Sequence, residues 1–388
     1  MKAKAPILDV VVTARPSWAR VKYLVLNYAQ MFGADNINLL LVGPSVSKRY
    51  GDLSEQLPIG LNCIQFPALY DSDELEAVAL TCFEGASAVA RHWSQRRPDC
   101  VLVVADRTET LGIAAAASLM QIPLIHIQGG EISGSIDDKI RDTNSKMADL
   151  HLTTNEFTKI NLIEMGEPEH LIQVIGCPSL DVVSQVQESG GSLNFTNADL
   201  SGVGCNFELS SNFGIIMFHP DTLNEIENLA WVKEIIESIE KSNIFWFWFW
   251  PNPDHGTSAI SKEIRKSREN GKLERVKFII NLQPEIFVKL ALKAKIMIGN
   301  SSFGIREASF IGLPVINLGK RQIGRQRASN VLDLDNAEQA SLLFDEINKQ
   351  INKTFKKSFL YGDGNSGMKA AAIIGSWLPT IKLRKLEH

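Results

Sequence analysis

Short apolar runs alternate with amphipathic helical stretches along the whole of this 388-residue chain. Such alternation is typical of βαβ units, in which helices cover both faces of a mostly parallel sheet. The chain is too long for one ordinary core, so we expect two domains of under about 200 residues each. The sequence therefore predicts an α/β protein built from two Rossmann-like domains.

The apolar runs give the expected positions of the strands. In the first half these are Leu8–Thr13, Asn38–Val42, Cys63–Phe66, Val101–Ala105, Leu124–Ile127 and Leu150–Thr154. In the second half they are Gly214–Phe218, Ile244–Trp250, Val276–Ile280, Ile296–Ile298 and Pro314–Asn317. The aromatic run of Ile244–Trp250 favours a strand buried on both faces, and an aromatic binding platform is the alternative.

The alternating pattern weakens after Pro178, in a segment rich in Ser, Gly and Asn. We therefore expect an N-terminal Rossmann-like domain at 1–185, a linker at 186–212, a C-terminal Rossmann-like domain at 213–366 and a last helix within 367–388. Ligands of open α/β sheets bind at the carboxyl ends of the strands, so we expect an active-site cleft between the two domains.

Composition argues against several classes of function. The formal net charge is −4 and Lys and Arg are scattered, which disfavours a nucleic-acid partner. Five widely spaced cysteines without a C-x-x-C pair predict neither disulfides nor a zinc site, and they fit a reducing cytoplasm. Asp9 interrupts the first apolar run, which indicates a strand and not a signal peptide. We expect no metal, no cofactor and no membrane partner.

The motif at 299–327 is the clearest pointer to a ligand. Ser301 and Ser302 follow an apolar strand, a helix should begin near Phe303, and Glu307 lies about one turn into it. Helix N–H groups and serine hydroxyls can hold a diphosphate, and Glu307 can accept hydrogen bonds from a ribose diol.

Three arginines follow the next strand and can add charge-assisted donors: Arg321, Arg325 and Arg327. The alternative for the start of the motif is that Asn300 or Ser301 only caps a helix.

Acidic residues concentrate after two strands of the first half. Asp106 directly follows Val101–Ala105, where it could move a proton, although with Glu109 it could also form a capping box. In the glycine-rich run from His126 to Arg141, the acids Glu131, Asp137 and Asp138 could raise one another's proton affinity. Stabilisation of a helix dipole by Asp137 and Asp138 is the alternative.

Two basic residues complete the set of candidates. His219 ends an apolar strand before Pro220 and can donate to a phosphate or carry a proton. Arg15 follows the first strand, and Pro16 should direct the chain into a helix that starts near Trp18. A phosphate contact is the simplest role for Arg15, and a salt bridge between the domains is the alternative.

These blocks resemble the hydrolysing UDP-N-acetylglucosamine 2-epimerases of sialic and legionaminic acid synthesis. The resemblance rests on Ala-Asp-Arg-Thr-Glu-Thr around Asp106, Gly-Gly-Glu-Ile-Ser-Gly-Ser-Ile-Asp-Asp-Lys-Ile-Arg at 129–141, Phe-His-Pro at 218–220, and the block from Gly299 through Arg325. It implies a glycosyltransferase-B-like pair of Rossmann domains, with the last helix packing on the first domain. It also implies a homodimer or homotetramer.

The resemblance implies a two-step reaction, in which the nucleotide diphosphate is eliminated to give a glycal and water then adds to give the free C2 epimer. Asp106 and Asp137 match acid/base positions, and His219 matches a position that meets the diphosphate. The nucleotide-binding candidates are Arg15, Arg141, Ser301, Ser302, Gly304, Glu307 and Arg321.

Two departures from the family affect catalysis and specificity. Several members carry a catalytic glutamate where this chain has Gln128, which cannot act as a base. Either Asp106, Glu131 and Asp137 cover the acid/base roles, or the chemistry is altered. Near Arg15, this chain also carries Trp18 at a position where the family has a different residue. Together Gln128 and Trp18 favour a 2,4-diacetamido-2,4,6-trideoxy sugar over N-acetylglucosamine.

Three alternatives stay open at this point: a glycosyltransferase of the same architecture, a nucleotide-sugar-binding protein without catalysis, and a non-hydrolysing epimerase. The sequence does not distinguish UDP from GDP, because base contacts in such folds come largely from loop backbone.

Overall fold

A computed structural model describes residues 6–47, 52–54, 57–70, 72, 74–133, 136–190, 200–220, 225–251 and 257–377. The chain forms two compact units. Unit 1 comprises Met1–Asp181 and Gly362–His388, and unit 2 comprises Val182–Tyr361.

Unit 1 is built on a parallel sheet of seven described strands in the order β3-β2-β1-β4-β5-β6-β7. The strands are β1 (Leu8–Val12), β2 (Ile37–Val42), β3 (Asn62–Phe66), β4 (Cys100–Val104), β5 (Leu124–Ile127), β6 (Leu150–Thr153) and β7 (Ile172–Val174). The helices are α1 (Arg15–Phe32), α2 (Leu75–Gln95), α3 (Thr108–Leu119), α4 (Ile136–Met147), α5 (Glu156–Glu164) and α6 (Ser179–Glu188), which continues into unit 2.

The central strands of unit 1 are buried on both faces, as their continuous apolar sequences require. One face packs on α1 and on the last helix, α14 (Ser366–Trp377). Gly367 lets α14 approach the backbone of α1, because a side chain there would meet Tyr23 and Leu24. Asp181 accepts hydrogen bonds from the first backbone N–H groups of α14, at 2.9 Å from Ser366 and 2.7 Å from Gly367.

Unit 2 has a second sheet of seven described strands, in the order β14-β13-β12-β9-β10-β11-β8. The strands are β8 (Val203–Gly204), β9 (Phe213–Met217), β10 (Phe245–Phe249), β11 (Val276–Ile279), β12 (Ile296–Gly299), β13 (Val315–Leu318) and β14 (Val331–Leu334). The helices are α7 (Glu225–Lys241), α8 (Thr257–Glu269), α9 (Pro284–Lys293), α10 (Ser302–Ile305), α11 (Glu307–Ile311), α12 (Ala337–Ala340) and α13 (Leu343–Gln350). All strand pairs are parallel except β8 with β11.

The aromatic strand β10 forms the centre of unit 2. Trp246 and Trp248 pack into the core on one face, and Phe247 and Phe249 pack on the other. Gly214 of β9 leaves room for the Trp246 ring, since a side chain at 214 would overlap it. The prediction of a buried core strand is confirmed, and the alternative of an aromatic binding platform is wrong.

The segment 186–212 differs from a simple linker. Residues 191–199 lie outside the described residues, but β8 pairs with β11, and Phe207 stacks on Phe245 with ring centroids 4.4 Å apart. These residues therefore belong to the sheet and core of unit 2. Of the last helix expected within 367–388, residues 378–388 lie outside the described part.

Candidate functional site

Polar side chains follow neighbouring strands at the carboxyl edge of each sheet. In unit 1 the order of strands reverses between β1 and β4, and Asp106 follows β4. In unit 2 the reversal lies between β9 and β12, which are followed by His219 and Asn300. Ligands of open α/β sheets bind at such reversals, so each unit presents a candidate site.

Arg141 gathers the acidic residues of unit 1. Its guanidinium is 2% exposed and donates to the carboxylates of Asp106 and Asp138 and, at 2.7 Å, to the backbone carbonyl oxygen of Glu131. Burial disfavours the charged form, but Asp106 and Glu131 outweigh that effect and raise the pKa of Arg141. One permanent cation therefore holds the end of β4 against the first turn of α4.

Glu131 is held by two neutral donors. Nε2 of Gln128 donates to Glu131 Oε1 at 3.3 Å, and Oγ1 of Thr154 donates to the same oxygen at 2.9 Å. Because a carboxylate accepts and cannot donate, the Gln128 amide points its nitrogen toward Glu131. Gln128 and Thr154 thus fix the position of a carboxylate that is only 9% exposed.

The backbone beside these acids adopts strained conformations. Ala105 has φ 53° and Gln128 has φ 64°, in the left-handed region that non-glycine residues rarely occupy. Gly130 has φ 78°, and a side chain there would overlap the carbonyl oxygen of Thr158. Strain of this kind concentrates at functional sites, because it persists only where the surrounding structure imposes it.

His126 of β5 supports one of these strained turns. Its Nε2 lies 2.9 Å from the carbonyl oxygen of Ala105, and its Nδ1 lies 3.0 Å from Oγ of Ser145. Complete burial lowers the pKa of His126 to about 3, so the ring is neutral. The Ala105 carbonyl can only accept, so the neutral imidazole carries its proton on Nε2 and donates it to that oxygen.

The contacts in this region bear on two expectations. Arg141 is expected to bind the nucleotide; its guanidinium is buried and bound to Asp106 and Asp138, and a nucleotide contact stays a prediction. Asp106 is not part of a capping box, because α3 has Arg107 at its N-cap and no side-chain cap. Glu109 instead accepts two hydrogen bonds from the Arg107 guanidinium, at 3.0 and 2.8 Å.

The two adjacent aspartates of α4 differ. Asp137 is exposed in the first turn, where it can reach a ligand. Asp138 accepts from the backbone N–H of Ser133 at 2.8 Å and from its hydroxyl at 2.6 Å, in addition to Arg141. Asp138 therefore has a structural role, which leaves Asp137 as the better candidate for chemistry.

The helix after β1 begins earlier than expected. Its first residue is Arg15, which is exposed, with Ala14 at the N-cap and Pro16 in the first turn. Trp18 is only 8% exposed and packs into the core of unit 1. A sugar contact by Trp18 is therefore wrong as an explanation of specificity.

In unit 2, Asn300 and His219 pair beyond the ends of their strands. The backbone N–H of His219 donates to Asn300 Oδ1 at 2.8 Å, and Nδ2 of Asn300 donates to the His219 carbonyl at 2.7 Å. Burial, with the nearby Arg321 charge, lowers the pKa of His219 to about 4, so the imidazole is neutral at pH 7. A neutral imidazole can donate to a phosphate oxygen and can accept a proton.

The expected helix after Ser301 is divided into two short pieces. Ser301 is the N-cap of α10 and accepts from the N–H of Phe303 at 3.4 Å, so Ser301 caps this short helix, and a diphosphate contact from its hydroxyl stays a prediction. Ser302 accepts from Arg306 at 3.0 Å. The break falls at Arg306, which lies between α10 and α11.

Glu307 begins α11 and is 8% exposed. Its Oε2 is buried without a hydrogen-bond donor among the described residues and lies 3.9 Å from Nε of Arg306. A buried carboxylate oxygen without a donor costs free energy unless a ligand or water supplies one. This supports Glu307 as an acceptor for ligand hydroxyl groups.

The loop after β13 uses its arginines differently. Arg321 donates to the carbonyl oxygen of Asn300 at 3.3 Å and is partly exposed. Arg327 pairs with Asp333 at 2.9 Å and Arg325 donates to Gln322, so these two arginines shape the loop. Arg321 remains the candidate for a phosphate contact.

Gly304 has a packing role. A Cβ at this position would lie 3.1 Å from a methyl group of Val315 in β13, so Gly304 permits tight packing of α10 on the sheet. Sequence reasoning did not assign Thr154 or Gln322 to a site. Thr154 ends a predicted strand and Gln322 follows Arg321, so position alone could have marked both.

The described residues contain no group of three His, Cys, Asp or Glu side chains arranged to hold a metal ion. Within the same residues, every helix is too short or too polar to cross a membrane.

Two α/β units, each with a parallel sheet and polar residues at its carboxyl edge, define a glycosyltransferase-B-like protein. The family model described as UDP-N-acetylglucosamine 2-epimerase matches residues 35–375. The chain belongs to that family.

Curated relatives extend the match. The UDP-N-acetylglucosamine 2-epimerase of Neisseria meningitidis is 31% identical over 325 residues, or 83% of this chain and 81% of the relative. The UDP-N,N'-diacetylbacillosamine 2-epimerase (hydrolyzing) of Legionella pneumophila is 31% identical over 279 residues, or 71% of each. A Campylobacter jejuni protein named GDP/UDP-N,N'-diacetylbacillosamine 2-epimerase (hydrolyzing) is 29% identical over 84% of this chain and 83% of the relative.

Solved structures share the fold. The UDP-GlcNAc 2-epimerase of Methanocaldococcus jannaschii, in complex with UDP-GlcNAc and UDP, has a TM-score of 0.75 at 18% identity and covers 95% of this chain and 99% of that one. The Neisseria meningitidis enzyme bound to UDP-GlcNAc has a TM-score of 0.74 at 18% identity and covers 97% and 100%.

Proposed function

We propose that this chain is a cytoplasmic, hydrolysing 2-epimerase of nucleotide-diphosphate 2-acetamido sugars, working without a cofactor as a homodimer or homotetramer. The names of the Legionella and Campylobacter relatives support the hydrolysing type. They also support a 2,4-diacetamido-2,4,6-trideoxy sugar as substrate, with N-acetylglucosamine as the other candidate. Both UDP and GDP remain candidate nucleotides.

The proposed reaction has two steps. A base removes the C2 proton, the C2–H electron pair forms the C1–C2 double bond, and the C1–O bond to the diphosphate breaks. The products of this elimination are a glycal and the free nucleoside diphosphate. Water then adds its oxygen to C1 and gives one proton to a base, while an acid protonates C2 from the opposite face, which gives the free C2 epimer.

The acids of unit 1 are assigned to the proton transfers. Asp106 is held at the end of β4 by Arg141, and Glu131 is held by Gln128 and Thr154. Asp137 is exposed nearby in sequence, at the start of α4. Gln128 has no basic group, so its amide orients Glu131, and the proton transfers belong to Asp106, Glu131 and Asp137.

The polar residues of unit 2 are assigned to the nucleotide. His219, Arg321, Ser301 and Ser302 would stabilise the charge that grows on the departing diphosphate. Glu307 would accept hydrogen bonds from the ribose diol through its buried Oε2. From unit 1, exposed Arg15 is a further candidate for a phosphate contact.

The observation that carries the proposal is the buried cluster in which one cation, Arg141, holds Asp106 and Asp138 at the carboxyl edge of the unit 1 sheet. A protein that only bound nucleotide sugars would gain little from strained turns beside a set of fixed carboxylates. A reaction with proton transfer at a carbon atom needs carboxylates held in place.

Product analysis tests the proposal. The protein is incubated with UDP-N-acetylglucosamine and, separately, with the UDP-linked 2,4-diacetamido sugar, without any acceptor. We expect release of UDP together with a free sugar of inverted C2 configuration. Release of UDP only after an acceptor is added would instead support a glycosyltransferase.

A non-hydrolysing epimerase is the second candidate. The Neisseria relative favours it, because its name carries no hydrolysing label. Accumulation of the nucleotide-linked C2 epimer, with no free nucleotide, would decide for this candidate.

A further inference from the structure

Asn300 continues the hydrogen-bond ladder of the unit 2 sheet beyond the last residue of β12. Gly299 is the register partner of Met217, and the Asn300 N–H donates to the Met217 carbonyl at 3.0 Å. Its side chain then bonds both backbone groups of His219, at 2.8 and 2.7 Å. The Asn300 amide thereby makes the two hydrogen bonds that a further backbone residue of β12 would make with β9.

The preceding residue makes this close approach possible. Gly299 has φ 134°, and any side chain there would overlap the carbonyl oxygen of Met217. Asn300 itself is 2% exposed, so its two side-chain bonds are made away from water. The ends of β9 and β12 are therefore fixed to each other at the point where His219 leaves the sheet.

Asn300 also binds a third segment through its backbone. Its carbonyl oxygen accepts from Arg321 at 3.3 Å and from Nε2 of Gln322 at 3.0 Å. Arg325 donates to the other end of the Gln322 amide, which orients that side chain. Asn300 thus contacts the segments that carry His219 and Arg321.

We propose that Asn300 is the positioning residue of the diphosphate site, holding His219 and Arg321 in the geometry that binds the phosphate groups. The inference rests on the proposed function for the identity of the ligand. Asn300 itself touches no phosphate. Its effect on binding is transmitted through the backbone of His219 and the side chain of Arg321.

The amide group is required because Asn300 both accepts and donates. In the Asn300→Asp variant at pH 7, an ionised carboxylate can still accept from the His219 N–H, but it repels the His219 carbonyl oxygen. On protonation the introduced carboxyl regains one donor. The lost geometry is therefore recoverable by acid in Asn300→Asp and not in Asn300→Ala.

The test is UDP affinity by calorimetry between pH 7 and pH 5, each variant compared with the wild type at the same pH. At pH 7, N300D and N300A bind UDP on the order of 100-fold more weakly, as expected when groups that meet a ligand are displaced. At pH 5, N300D regains about tenfold relative to the wild type, because burial at this position raises the pKa of the introduced carboxyl, and N300A regains nothing. His219 stays neutral over this range, since its pKa is about 4.

Asn330 supplies a matched control in the same unit. It is 3% exposed, and its amide donates to the Leu313 carbonyl at 2.7 Å, just before β13 begins. N330D loses the same kind of bond and should lower the melting temperature as N300D does, yet bind UDP within twofold of the wild type. Should N300D fail to fold, Q322L removes one bond to the Asn300 carbonyl and should weaken UDP binding about tenfold.

The proposal is overturned if N300D binds UDP within twofold of the wild type at pH 7. It is also overturned if UDP affinity has the same pH dependence in N300D and N300A, or if Q322L binds UDP as the wild type does. A wild type that binds UDP but forms no free sugar refutes the proposed function and leaves the Asn300 comparison valid. A wild type without affinity for UDP refutes both.

Discussion

Arg141 and Asp106 are 35 residues apart in the chain and form an ion pair in unit 1, with the Arg141 side chain buried and the Asp106 side chain partly exposed. The pair joins the end of β4 to α4, and the same guanidinium binds Asp138 and the Glu131 carbonyl. Because these contacts use both terminal nitrogens, the position of each acid depends on the arginine. The Arg141 guanidinium therefore fixes Asp106, Asp138 and the Glu131 backbone relative to one another.

Replacement of Arg141 by Met should abolish activity and reduce the free energy of unfolding by about 3–5 kcal/mol, because Asp106 and Asp138 lose their buried partner. Denaturant unfolding and product assays measure the two effects. Arg97→Met is the control, since Arg97 is exposed and bonds only the carbonyls of Met120 and Gln121. Full activity of Arg141→Met would contradict a catalytic role for the cluster.

Replacement of Gln128 by Glu should move the acid limb of the kcat/KM profile to higher pH. The new carboxylate would lie where Nε2 now sits, 3.3 Å from Glu131, and like charges raise the pKa values of a pair. A base that must be ionised is then available only at higher pH. Gln173→Glu is the control, because the Gln173 amide bonds only the His170 carbonyl among the contacts described. An unchanged acid limb would exclude Glu131 from the proton transfers.

Replacement of Glu307 by Gln should weaken UDP binding by about 10- to 100-fold, the range for a lost charged hydrogen bond. Wild-type protein should discriminate UDP from its 2′,3′-dideoxy analogue, and Glu307→Gln should bind the two alike. Glu269→Gln, at an exposed position at the end of α8, should behave as wild type. Continued discrimination by Glu307→Gln would show that the diol is bound elsewhere.

Acid should destabilise the fold through its buried histidines. The pKa of His126 is lowered to about 3 and that of His219 to about 4, both chiefly by burial. Each histidine's contribution to the free energy of unfolding is complete above the pKa of about 6.5 in the unfolded state. It is lost as the pH falls toward the lower pKa in the folded state. The free energy of unfolding should therefore fall between pH 6.5 and pH 5, by up to about 1.4 kcal/mol per pH unit for each histidine. In His219→Asn, the change in the free energy of unfolding with pH should be smaller by the contribution of one histidine. The same pH dependence as in the wild type would contradict the burial of a neutral His219 ring.

Sequence periodicity predicted eleven of the fourteen described strands, because each contains a run of apolar residues and most of them are buried on both faces. It missed β7 and β8, which have three and two residues, and β14, whose residues are mostly half-buried. Strands of two or three residues are too short to stand out from loops, and in β14 Asp333 interrupts the apolar residues. Phe207 likewise lies in a polar segment, and only its ring contacts place it in the core.

The candidate site was predicted in composition but not in its contacts. Positions after strands identified Asp106, Glu131 and His219, since ligands of parallel sheets bind there. The sequence could not show that Arg141 is turned inward to Asp106, because an arginine one turn into a helix can face either a ligand or the core. The pairing of Asn300 with His219 spans 81 residues and depends on the register of β9 with β12.

The most direct test of the account is NMR of the products formed from the UDP-linked 2-acetamido sugars in deuterated water. We expect free UDP and a free sugar of inverted configuration that carries deuterium at C2, with no product from Asp106→Asn. Release of sugar with the original C2 proton retained would contradict it, because no proton would then have been removed from that carbon.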